Sequence, residues 1–183
     1  MVFPLQISAL FFSPIVKYIF TNLIKNFNSY TENSTSYKNK EDYEVFGAFL
    51  VKTFLPLKRV YDNGSDYLKP IASFRYSPNN TKNISNKDLR LSYDNIFALN
   101  RIGTNEIVEG GKSLSLGVEY ENRNKNNEKL FSLNIANSIS YRKNDNLPFK
   151  TKLNEERSDL VGKLSFSPNK VLKIGRASCR ERV

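Results

Sequence analysis

Residues 93–120 read YDNIFALNRIGTNEIVEGGKSLSLGVEY, a polar, turn-rich loop running straight into a strand of nearly unbroken two-residue alternation. From Ser113 to Glu121 the odd positions are Ser113, Ser115, Gly117, Glu119 and Glu121, and the even ones Leu114, Leu116, Val118 and Tyr120. A period of two puts these sets on opposite faces of a strand, one polar and one apolar.

Working outward, three further strands show the same pattern. Leu68, Pro70, Ala72, Phe74 and Tyr76 alternate with Lys69, Ile71, Ser73, Arg75 and Ser77. Phe131, Leu133, Ile135, Ile139 and Tyr141 share a face interrupted by Asn137, and Leu160, Gly162, Leu164 and Phe166 oppose Asp159, Val161, Lys163, Ser165 and Ser167. Two weaker candidates, near 15–27 and 43–55, have muddled alternation. No segment offers a convincing amphipathic helix.

The connections 28–42, 56–66, 78–112, 122–128 and 143–157 run 15, 11, 35, 7 and 15 residues, so longer and shorter loops alternate. An up-and-down bacterial barrel predicts this, with long loops outside the cell and short turns in the periplasm. Strands of about ten residues suit a tilted membrane crossing, and their clear apolar faces carry no charge. The expected fold is therefore all-β: antiparallel up-and-down strands forming part of a large transmembrane β-barrel. About six strands are too few to close one, so the chain reads as an incomplete piece.

Composition narrows the classes. Mean hydropathy is negative and no apolar run is long enough for a membrane helix, which leaves a barrel untouched. There is no histidine, which disfavours acid–base and metal chemistry, so neither enzyme activity nor a cofactor is expected. The single cysteine, Cys179, lies in 174–183, IGRASCRERV, which reads as a translated sequencing-adapter tail foreign to the protein. Without its three arginines and one glutamate the formal charge falls from +10 to +8. Val2 to Phe12 is apolar but has neither the leading cation nor the cleavage site of a signal peptide, so an internal start within a longer reading frame is expected.

Several motifs have plainer readings. Gly111-Lys112-Ser113 lacks the first glycine of a phosphate-binding loop, because position 106 is glutamate, and a strand rather than a helix follows. Glu155 and Glu156 sit together in a loop without an acid–base partner. Phe74-Arg75-Tyr76 interleaves aromatic and basic residues as nucleic-acid binders do, but in a strand these neighbours face opposite ways; no nucleic-acid partner is expected.

The wording Asn95-Ile96-Phe97-Ala98-Leu99-Asn100-Arg101, followed by Val108-Glu109-Gly110-Gly111 and the alternating strand, resembles the barrel domain of the LptD (organic-solvent-tolerance, OstA-type) lipopolysaccharide-assembly family, especially alphaproteobacterial forms. The resemblance is strongest over 68–169, with 1–173 as the barrel piece. It implies transport rather than catalysis: lipopolysaccharide inserted into the outer leaflet of the bacterial outer membrane. It also implies an LptE-like lipoprotein plug inside the barrel and an LptA-like periplasmic bridge acting through a domain not recognisable here. Lys69, Arg75, Arg142 and Lys163 fall on the polar face, which in a barrel lines the lumen. Lysine and arginine suit the phosphates and acidic sugars of such cargo, although any polar lumen tolerates them. The rival readings are a porin-like channel, which would lack the 95–111 loop, and a soluble β-sandwich binding glycans.

Overall fold

The computed structural model describes residues 16–29, 42–102, 107–169, 172–177 and 180–181. The apolar N-terminal stretch and most of the 28–42 connection lie outside the described residues. Every regular element among those residues is a strand: β1 (Lys17–Ser29), β2 (Asp42–Phe54), β3 (Leu57–Tyr61), β4 (Gly64–Ser77), β5 (Gly111–Asn124), β6 (Lys129–Ser140), β7 (Leu160–Asn169), β8 (Leu172–Ala177) and β9 (Arg180–Glu181).

The sheet runs β1-β2-β4-β5-β6-β7-β8, with all neighbours antiparallel. Among the described residues β1 pairs only with β2, and β8 only with β7, so this is an open wall of barrel type rather than a closed ring. β3 carries on along the edge of β4 where β2 leaves off, after a break at Leu55-Pro56, because proline has no N–H for the ladder. The 56–66 connection expected as a loop is thus mostly strand, turning at Asp62-Asn63 between paired Tyr61 and Gly64. The next turn on that side is also tight. Asn124 N–H donates to the Glu128 carbonyl, and Asn127 adopts φ 61°, which asparagine tolerates better than most residues. β8 and β9 draw on 174–183 and pair with β7, β8 through an irregular register.

Cross-strand partners share a face, so the register fixes what each side shows. Outward lie Phe74, Leu114 and Ile139 on one rung, and Leu68, Tyr120, Leu133 and Leu164 on another. Phe74, Leu116, Leu164 and Phe166 are all exposed. From Leu68 to Tyr76 the strand covers ~27 Å, or ~20 Å of height at a barrel's usual tilt, close to the apolar band of outer-membrane proteins. Its upper margin carries Tyr76 and Tyr141, with the Lys112 ammonium 5.6 and 5.8 Å from their ring centroids. At the lower margin Tyr120 O–H and the Asn122 amide both donate to Asp66, and the Asn122 amide also donates to the Tyr61 hydroxyl. Aromatic girdles of this kind mark both membrane interfaces.

The inner face departs from expectation. Of the 78–112 connection, read from the sequence as a loop outside the cell, the described residues 78–102 and 107–110 fold back across the inner face together with 143–159. Ile84, Leu91, Ile96, Phe97, Ile102 and Ile107 pack with Leu147 and Leu153 against Ile71, Ala136 and Val161 of the sheet. A second cluster sets Val108 against Phe46 and Ala48 of β2. Burying each such side chain is worth ~1.5–3 kcal/mol, which is why a long polar-looking segment collapses inward. Asn79 fastens its first residue pair to β2, accepting from Gly47 N–H at 2.8 Å and donating to the Val45 carbonyl at 2.9 Å.

Candidate functional site

The covered half of the inner wall is built from small residues. Ser73, Ser115 and Ser138 form one rung, and Ile71, Gly117, Ala136 and Val161 the next. Short side chains let the backbone of the insert lie close: Ser115 Oγ donates to the Ile96 carbonyl at 3.2 Å. The two inserted segments hold each other as well. Ile84 N–H donates to the Asn146 carbonyl at 2.8 Å, and Leu91 N–H to Thr151 Oγ1 at 3.0 Å. Gly111, at φ +96°, returns the chain from the insert into β5, a conformation that favours glycine.

A charged clamp lies beneath. Arg101 reaches both carboxylate oxygens of Glu109, with Nε donating to Oε2 at 2.9 Å and Nη2 to Oε1, and its third nitrogen donates to Ser138 Oγ. Arg75, on β4, donates from Nε to the Leu99 carbonyl at 2.8 Å and from Nη2 to the Glu109 carbonyl. All three side chains are buried. Burial works to raise the Glu109 pKa, but the Arg101 and Arg75 guanidiniums outweigh it and hold the carboxyl below its usual range. Two cations around one anion suit a group that must stay ionised in a dry place.

At the lower margin of the insert the wall is half-exposed. Lys69, Glu119, Asn134 and Lys163 lie on one rung across β4 to β7. Lys69 pairs with Glu119 along the sheet, whereas Lys163 Nζ donates at 2.6 Å to Asp94 of the insert. Tyr93 O–H donates to Glu119 at 2.9 Å, and burial together with that carboxylate pushes its pKa well above the ordinary tyrosine value. Lys52 lies 5.2 Å from the Phe97 ring centroid. Further down, Glu121 is paired with Arg123 and Lys129.

The family model described as LPS transport system D, LptD, matches residues 1–178. The chain belongs to the LptD family. It is accordingly an outer-membrane protein of lipopolysaccharide transport and assembly. Among curated proteins none matches it.

On this LptD wall the four basic residues expected in the lumen separate. Lys69 and Lys163 share a rung, three strand spacings or ~14 Å apart. Arg75 stands six residues further along β4 and is buried under the insert, committed to Leu99 and Glu109. Arg142 follows the end of β6 and is exposed, its guanidinium 5.8 Å from the Tyr141 ring centroid. Sequence reasoning missed Arg101, Glu109 and Asp94, whose partners are distant in the chain or set by loop geometry. Glu119 was legible in principle, since the alternation puts it on the face of Lys69.

Proposed function

We propose that the uncovered part of the inner face, centred on the rung from Lys69 to Lys163, forms part of the wall along which lipopolysaccharide travels. The observation that carries this reading is the split surface: an apolar band outside, and inside a half-exposed polar rung of Lys69, Glu119, Asn134 and Lys163 at the lower margin of the insert. Cationic side chains on a polar wall suit phosphates and acidic sugars, while the apolar exterior holds the wall in lipid. In this reading the full-length protein works with an LptE-like lipoprotein plug inside the barrel and receives cargo from an LptA-like bridge. The inserted segments belong to the cell-surface side and the turns at 62–63 and 125–128 to the periplasm.

A photoreactive residue replacing Asn134 in the full-length protein tests the reading in cells. Lipopolysaccharide adducts are expected there and not from the same residue at Leu68, which faces outward at the lower margin, away from the outer leaflet. Equal labelling from both faces, or none from Asn134, overturns it.

A further inference from the structure

Besides its apolar core, the insert is held to the wall by two kinds of charged contact. One is the buried Arg75–Glu109–Arg101 clamp. The other, at 93–97, lies at the half-exposed margin, where the Asp94 side chain is 70% exposed and that of Lys163 25%. An exposed ion pair contributes little, ~0–1 kcal/mol, and exchanges readily with competing anions.

The pair is also peculiar in its partners. Lys69 has its carboxylate on the sheet, in Glu119. Lys163 has a neutral sheet neighbour on β6, Asn134, and takes its anion from the insert. The rung immediately above, Ile71, Gly117, Ala136 and Val161, is apolar and is roofed by Phe97 and Ile96. Turning the exposed Asp94 side chain aside would bare the Lys163 ammonium on the polar wall just below that roof. A lone accessible ammonium there fits a phosphate or carboxylate head group.

We infer that Lys163 is a docking point for the anionic head group of an amphiphile, and that Asp94 is a built-in stand-in which occupies it until cargo takes its place. This rests on the transport-wall reading. The incoming anion exchanges with Asp94 on the same ammonium, so the Coulomb attraction is replaced rather than lost. Only the Asp94 side chain turns away; Ile96 and Phe97 stay packed in the core, and the clamp keeps the insert attached.

The test uses the full-length protein with its lipoprotein partner, carrying the photoreactive residue at position 134 and exposed to lipopolysaccharide. Asp94→Asn should raise the adduct yield about two- to fivefold, the scale of one exposed ion pair. Lys163→Gln should lower it, Lys163→Arg should keep it, and Asp94→Asn should add nothing in the Lys163→Gln background. If Asp94→Asn leaves the yield unchanged, or raises it equally without Lys163, Asp94 does not compete with cargo and the inference fails. Absence of adducts in every form would instead remove the transport-wall reading beneath it.

Discussion

The ring of Phe97 fills the space that a side chain at Gly117 would need. A Cβ built on Gly117 would stand 2.7 Å from Phe97 Cζ, 2.7 Å from the Ile135 carbonyl oxygen and 2.8 Å from Ala136 Cβ. Two of these three neighbours belong to β6, so the ring cannot relieve the crowding alone. Gly117→Ala should cost ~1–3 kcal/mol, as overpacking does, read as earlier urea unfolding of the full-length protein in detergent. Adding Phe97→Leu should restore only part of the loss. Full recovery in the double variant would mean that the β6 contacts are slack.

Glu109 is the carboxylate that both buried guanidiniums face, so Glu109→Gln should lower stability by about 3–5 kcal/mol, the usual cost of breaking a buried pair and stranding its partner. The pH dependence follows in sign. Its folded pKa is depressed, so its contribution is complete above the unfolded value of about 4.3 and fades as pH falls through the lower folded value. Acid titration of the insert, followed by protease cleavage at Asn86-Lys87, should show loosening only below about pH 4, and Glu109→Gln should remove that transition. Persistence of the same transition in the variant would assign it to another carboxyl.

Lipid exposure of Leu116 predicts that Leu116→Arg costs ~2–4 kcal/mol near the bilayer middle. The alternation alone makes Ser115→Arg harmless, as a lumenal change. The structure reverses that, because Ser115 is buried and bonded to Ile96. Tolerance on the inner face should instead be found at Ser165, half-buried and clear of the insert's core. Heat-modifiability on gels should rank Ser165→Arg as assembled, and Leu116→Arg and Ser115→Arg as impaired. An assembled Ser115→Arg would show that the insert does not cover the wall in the membrane.

Orientation can be read with short tags in two exposed turns. One at Asn86-Lys87 should be labelled on intact cells, and one at Asn126-Asn127 only after permeabilisation. The converse labelling would turn the wall upside down.

The strands that the sequence showed most clearly are those with one polar and one apolar face. β2 was muddled for a physical reason: Phe46, Ala48 and Leu50 face the insert while Val45, Phe49 and Val51 face outward, so both sides are apolar and a period of two fades. Ser73, Ser115 and Ser138 looked like a wet lumen because serine is polar; their service here is smallness. The apolar residues of 78–110 follow no period, since an irregular segment meets its core wherever its turns allow. Arg75 was correctly set on the inner face, but nothing local could reveal that Glu109, thirty-four positions on, would claim it.

The sheet's chain-order topology lets each strand join beside its predecessor, whereas the insert does not share that convenience. Its core needs 78–110 and 143–159 at once, and β5 and β6 stand between them in the chain. Whichever end of the barrel enters the membrane first, one half of this core must wait, with Ile84 and Leu91 or with Leu147 and Leu153 unpartnered, until two more strands are in place. The slow and fragile moment in building this wall should therefore fall at the completion of β5–β6, when a hairpin already in lipid is still missing its lining.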